Sequence, residues 1–170
     1  MLYIFAGLPG AGKTTLARHL AGELQAVHLR IDTIEQALRD AGYQLVGPEG
    51  YVAAYGVAAD NLRLGLDVVA DSVNPLRITR GVWRDVAART GVPYIEIEVI
   101  CSDAIEHRSR VESRAADVTG LRLPTWEEIR TREYEPWDTE PVVIDTAGRT
   151  ISETAAAMMR AIGVVRPAIA

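Results

Sequence analysis

The sequence predicts an α/β fold, a parallel sheet covered by helices on both faces, and three observations predict it. Short apolar runs rich in strand formers alternate with segments whose apolar residues recur at helical spacing throughout the 170 residues. Strands separated by helices imply right-handed crossovers and therefore parallel pairing. The turn between the first strand and the first helix is rich in glycine, Gly7-Leu8-Pro9-Gly10-Ala11-Gly12-Lys13-Thr14-Thr15. Acidic residues also stand at the ends of later strands, Asp32, Asp71 and Asp145. Ligands of such sheets bind beyond those carboxyl ends, so one rim collects them all.

The elements follow in order. Leu2 to Ala6 is the first strand, and the helix after the glycine-rich turn ends near Gly22 to Glu23. Ala26 to Ile31 is the second strand. Asp32-Thr33-Ile34-Glu35 has the form of a capping box that opens a helix to about Gly42. A loop from Gln44 to Gly50 precedes a helical pattern from Tyr51 to about Leu66. Asp67 to Asp71 is the third strand. Beyond it Asn74 can cap, and Pro75 can occupy the first turn of, a helix reaching Thr90 and ended by Gly91. Val92 to Cys101 is the fourth strand, and Ser102 to Glu106 starts a helix carrying Arg108, Arg110 and Arg114. That pattern dissolves between Ala115 and Pro124. Thr125-Trp126-Glu127-Glu128 is a further capping box, opening a helix to about Tyr134, and Glu135 to Pro141 is a loop. Val142 to Asp145 is the fifth strand, and Thr150-Ile151-Ser152-Glu153 caps a last helix to about Ile162, before a loose tail from Val164 to Ala170.

Composition bounds the function. An apolar content of 48% and a charged content of 24% are those of an ordinary soluble globule. A net charge of −5 argues against nucleic acid as a partner, which normally leaves a basic footprint. One cysteine, Cys101, makes no internal disulfide and reads as a small buried residue, and the scattered histidines hold no metal-type pair. No signal peptide and no membrane-length apolar run stand in the sequence, so the expected compartment is cytoplasmic. Without repeats or linkers, the expectation is a single domain, 1–170, with a mobile lid at 108–124.

Strand, glycine-rich loop and helix are the context that gives GxxxxGK[ST] its meaning as a P-loop, or Walker A motif. Gly7, Gly10 and Gly12 let the backbone turn its N–H groups inward, and the following helix adds its positive end. Gly7 to Thr15 is therefore the expected nucleotide cradle, with Lys13 on the β- and γ-phosphates and the Thr14 hydroxyl on Mg²⁺. The eighteen basic residues are one lysine, Lys13, and seventeen arginines. A compact ammonium fits between phosphate oxygens where a planar fork does not. The alternative, a glycine-rich turn with a surface lysine, ignores this context.

Beyond the loop, Asp32 follows the second strand, where a carboxylate can orient an acceptor hydroxyl and take its proton; it also fits as an ordinary helix cap. Asp71 ends the third strand, the place for an acidic residue in the Mg²⁺ shell. Arg110 and Arg114 are one helical turn apart and could close over the triphosphate, or could simply pair with Glu106 on a solvated face. Tyr51, Tyr55, Trp83, Trp126 and Trp137 are candidates for an acceptor pocket, and equally for the core.

These motifs, with Arg30-Ile31-Asp32, Asp71-Ser72-Val73-Asn74-Pro75-Leu76-Arg77 and the stretch Pro124 to Glu128, resemble a group of small P-loop kinases. The group comprises the kinase domain of polynucleotide kinase, gluconate kinase, chloramphenicol phosphotransferase and the zeta toxins. The resemblance implies a three-layer α/β/α P-loop nucleoside triphosphate hydrolase fold with a five-stranded parallel sheet of nucleotide-kinase type and a helical lid. It implies ATP and Mg²⁺ as cofactors, Asp32 as the base, lid arginines Arg110 and Arg114, and an adenine near Thr146-Ala147-Gly148, with Ala147 in contact. The expected activity is transfer of the γ-phosphoryl group of ATP to a hydroxyl of a small-molecule acceptor.

Other readings share parts of this pattern. A toxin-type nucleotide-sugar kinase or a polynucleotide 5′-hydroxyl kinase would use the same loop, and a nucleotide-binding regulator would bind ATP and transfer nothing. A GTPase-like switch is suggested by Asp145-Thr146-Ala147-Gly148, which matches DxxG. That match follows the fifth strand rather than one soon after the P-loop, and neither Asn61 nor Asn74 begins an NKxD.

Overall fold

The computed structural model describes residues 1–43 and 47–164. In chain order the elements are β1 (Leu2–Ala6), α1 (Lys13–Leu24), β2 (Val27–Arg30), α2 (Ile31–Asp40), α3 (Glu49–Arg63) and β3 (Val68–Asp71). They continue with α4 (Arg77–Thr90), β4 (Tyr94–Ile100), α5 (Ala104–Ser113), α6 (Trp126–Arg130), β5 (Val142–Asp145) and α7 (Ile151–Ala161). The strands form one parallel sheet in the order β2-β3-β1-β4-β5. Leu2 stands opposite Val68 on one side and Tyr94 on the other. From β1 the chain crosses to the edge strand β2, returns through β3, and passes over β1 to β4 and then β5. The connections leaving β1 and β3 thus run in opposite directions, and the end of β1 lies at that reversal.

Every residue of β1 is buried, because helices cover both faces of the sheet. Side chains alternate between those faces. Tyr3 and Phe5 pack with Leu16 and Leu20 of α1 and Met158 of α7. Leu2 and Ile4 pack on the opposite side with Ala58 and Leu62 of α3 and Trp83 and Val86 of α4. Trp83 is fully buried and meets the Tyr55 ring edge-on, with centroids 4.6 Å apart. Among the described residues no helix is long and apolar enough to cross a membrane.

Several local expectations change. The chain passes straight from β2 into α2 without a capping box: Arg30 is the extended cap residue, and no side chain bonds the cap. Ile31 is drawn into the core beside α3, which starts the helix two residues early and places Asp32 in its first turn. Glu35 pairs with Arg39 instead of the cap. Asn74 is no cap either. The α4 helix begins at Arg77, while Asn74 takes φ 44° and donates its buried amide to Phe5 O at 2.8 Å. The capping boxes at Thr125 and Thr150 form as read, and Gly91 ends α4 with φ 69°.

The α3 helix starts at Glu49, ahead of the expected Tyr51, and β4 is shorter at both ends than the expected run. The Cys101 thiol is only partly covered and sits 3.6 Å from Asp103 O. The expected loop over Gln44 to Gly50 falls partly, and the tail beyond Val164 wholly, outside the described residues.

Candidate active site

The loop from Gly7 to Gly12 leaves β1 and enters α1, so its shape follows from the two elements it joins. Gly7 takes φ 130°, and a Cβ there would lie 2.1 Å from Val99 O. Only glycine lets the chain pass that close to β4. The Gly7 N–H donates to Val73 O at 3.1 Å, tying the loop to the turn after β3. On its other side Pro9 O sits 2.9 Å from His107 Nε2, and the His107 ring stands edge-on to Trp126.

This loop opens on a cleft of about 1360 Å³. Pro9, Gly10, Gly12, Lys13, Thr14 and Thr15 line it, while Gly7, Leu8 and Ala11 shape the loop from behind. Lys13 is 7% exposed and its Nζ donates to Leu8 O at 2.9 Å. Burial lowers its pKa to about 8, against the opposing pull of the Asp71 and Asp32 carboxylates. A buried ammonium held by one carbonyl suits an incoming polyanion, which would supply the missing oxygens. The same rim carries Thr14 and Asp71, the latter 2% exposed with Oδ2 3.3 Å from His28 Nε2. One hydroxyl and one carboxylate beside a phosphate cradle match what Mg²⁺ asks of a protein, since phosphates and water complete its shell.

Asp32 lines the cleft with its side chain 48% exposed, and Arg30 Nη2 donates to its Oδ2 at 3.3 Å. Arg110 and Arg114 also line the cleft but do not share a helix face, because α5 ends at Ser113 and Arg114 continues extended. Arg110 is engaged: Nη1 donates to Thr146 Oγ1 at 2.7 Å, and Nη2 to Thr146 O at 3.0 Å and Glu106 Oε1 at 2.6 Å. Arg114 is the opposite case. Its buried Nε and Nη2 have no protein partner, and burial lowers its pKa. Thr146 reaches the cleft and bonds Ala11 O at 3.0 Å, whereas Ala147 lies outside the lining and donates its N–H to Asp145 Oδ1.

The aromatic candidates separate. Tyr51 lines the cleft, where burial raises its pKa. Tyr55 and Trp83 are core, Trp126 supports His107, and Trp137 lies under the Arg80 guanidinium at 4.4 Å. Sequence reading missed Arg132, which lines the cleft near enough to Lys13 to depress its pKa. It also missed a cluster built by Asp117. Asp117 Oδ2 accepts from Arg18 Nη2 at 2.6 Å and from Arg30 Nη1 at 2.8 Å. Arg30 was visible beside Asp32; no local signal marked its partner 87 residues away.

A parallel sheet with this loop, a buried lysine and Asp71 at a strand end defines a nucleotide site of P-loop type, and the relatives make the protein an ATP-dependent kinase that works with Mg²⁺. A family model described as "AAA domain" matches residues 2–136, and the chain belongs to that family. It is similar to the adenylyl-sulfate kinase of Synechococcus sp. (strain JA-3-3Ab), 30% identical over 164 residues, covering 88% of this chain and 86% of the relative. It is also similar to a probable adenylyl-sulfate kinase of Aeropyrum pernix, 28% identical over 160 residues, covering 85% and 82%. The APS kinase of Mycobacterium tuberculosis in complex with AMPPNP and APS shares the fold, with a TM-score of 0.69 and 19% identity, over 95% of this chain and 96% of that one. These curated relatives are P-loop kinases, but of the adenylyl-sulfate group rather than the four groups the sequence resembles.

Proposed function

We propose that the protein transfers the γ-phosphoryl group of ATP to a hydroxyl of a small-molecule acceptor. The observation that carries this reading is the joint placement of Lys13, Asp71 and half-exposed Asp32 in one cleft. The relatives named adenylyl-sulfate kinase make adenylyl sulfate the first acceptor to test.

The triphosphate lies along the loop N–H groups and the start of α1, with Lys13 between its β- and γ-phosphates. Thr14 and Asp71 would hold Mg²⁺, which would supply positive charge against the phosphates. Arg114 brings unpartnered donors to the same charge, and Arg110 braces the Thr146 loop toward the adenine side, with Ala147 at its edge. The acceptor hydroxyl stands in line with the γ-phosphorus. Its oxygen forms the new O–P bond, its proton passes to the Asp32 carboxylate, and the bond to the departing ADP breaks. The residues 1–170 act as a single domain, and 108–124 closes over the nucleotide as a lid.

Incubation with Mg–ATP and adenylyl sulfate, then with pools of hydroxylated metabolites, tests the reading by mass spectrometry with Lys13→Ala as the blank. A phosphorylated product absent from the blank is expected. Asp32→Asn should lower transfer by about 10³-fold while ATP affinity stays within about twofold, since a positioned base contributes on that scale. Unchanged turnover in Asp32→Asn removes it from the mechanism.

A further inference from the structure

We infer that Arg30 is a positioning residue that couples residue Asp117, in the stretch between α5 and α6, to Asp32. The inference rests on the reading of Asp32 as the base. Arg30 closes β2 and stands immediately before α2, with its side chain only 10% exposed. One planar guanidinium there serves two carboxylates: Nη1 reaches Asp117 Oδ2 at 2.8 Å and Nη2 reaches Asp32 Oδ2 at 3.3 Å. Its buried Nε has no partner, so no third group holds the fork in place.

The two contacts are unequal, and the inequality has a consequence. The shorter bond goes to Asp117, whose carboxyl is held down to about 2, first by Arg30 and then, after a smaller cost of burial, by Arg18. While Asp117 is docked, Arg30 divides its charge and stays at the far edge of hydrogen-bonding distance from Asp32. Withdrawal of Asp117 leaves Asp32 as the sole carboxylate on Arg30, and the fork can then close into a bidentate pair. A carboxylate committed to a bidentate pair has fewer lone pairs to offer an acceptor hydroxyl. Docking of Asp117 thus frees Asp32 and fixes its direction.

The anchor is built for this. Arg18 lies on α1, directly behind the P-loop, and Arg30 on β2, so Asp117 bridges two elements of the nucleotide cleft from a segment without helix or strand. Arg114, three residues earlier, brings its unpartnered donors into the cleft, so one movement of the segment carries both groups.

Two readouts test the coupling. The first is limited trypsin digestion, with cleavage after Arg114 and Arg122 followed by mass spectrometry. Asp117→Asn and Arg18→Gln are expected to speed cleavage at those two sites, whereas Asp32→Asn leaves it at the wild-type rate. The second is ADP formation from Mg–ATP, with adenylyl sulfate or with water alone as acceptor. Asp117→Asn and Arg30→Gln should each lower kcat about tenfold with the KM for ATP within about twofold, on the scale that misplacing a catalytic group costs. The double substitution should be no worse than either single one, because both break the same link. A hundredfold, additive loss in the double variant, or unchanged cleavage in Asp117→Asn, overturns the coupling. Asp117 is a surface residue, so its variant reads the link even where Arg30→Gln fails to fold. Unchanged turnover in Asp32→Asn overturns the base reading instead, a result seen on a different variant and a different readout.

Discussion

At the scale of single residues, the loop that faces the nucleotide tolerates no side chain where β4 passes behind it. The Cβ of Gly7→Ala would meet Val99 O at 2.1 Å in a backbone conformation that alanine avoids. The carbonyl belongs to a central strand and cannot give way. The expected outcome is a loss of about 3 kcal/mol or more, the upper range for overpacking, read as a fall in thermal midpoint together with lost ATP binding. Gly56 is the control. It stands exposed within α3 with nothing within 4 Å of a built Cβ. Gly56→Ala should stabilise the protein by about 0.5–1 kcal/mol in denaturant unfolding, because glycine spends more chain entropy in a helix. Lys13 and Gly7 stand out in the sequence because the motif that marks them spans only a few consecutive residues, whereas the Val99 carbonyl that bars a side chain at Gly7 comes from β4. Asp117 does not stand out, because its partners Arg18 and Arg30 meet it only when α1, β2 and the segment after α5 have packed together.

At the scale of elements, the ends of helices decide where functional groups point. Thr150 caps α7 reciprocally with Glu153, its hydroxyl accepting from Glu153 N at 3.2 Å. Thr150→Ala should cost about 1 kcal/mol, measurable as a lowered denaturation midpoint at unchanged slope. Capping boxes that formed, at Thr125 and Thr150, begin helices preceded by loops free to take the extended cap conformation. The one that failed, at Asp32, follows a strand that runs directly into its helix. There the burial of Ile31 outweighs a local hydrogen bond and leaves the Asp32 carboxylate in the cleft beside Arg30 rather than on the helix cap. The α4 end shows the same competition. Asn74 gives up the cap to satisfy Phe5 O in the core, and fully buried Arg80 then gathers Asn74 O, Glu135 O and Pro136 O around its fork.

At the scale of the molecule, one sheet carries the cradle, the acidic strand ends and the Thr146 loop on a common rim, so a ligand there bridges elements from both halves of the chain. Binding of Mg–ATP should therefore raise the thermal midpoint by mass action. At 100 times Kd the gain is about 2.7 kcal/mol. For a chain of this size that corresponds to roughly 5–10 °C, and Lys13→Ala should remove the shift. The alternation of apolar runs and helical patterns by itself determined the layered α/β fold, five strands and a phosphate-binding loop, since periodicity and glycine spacing are local properties of the chain. Tertiary structure decided which groups share the cleft. It separated Arg110, spent on Thr146, from Arg114, left with free donors, and sent Tyr55, Trp83 and Trp137 away from the site. It also set Asp117 against Arg30. Those assignments turn on where a helix ends and which polar atoms burial leaves unpaired, and both depend on residues distant in sequence that compete for the same partners.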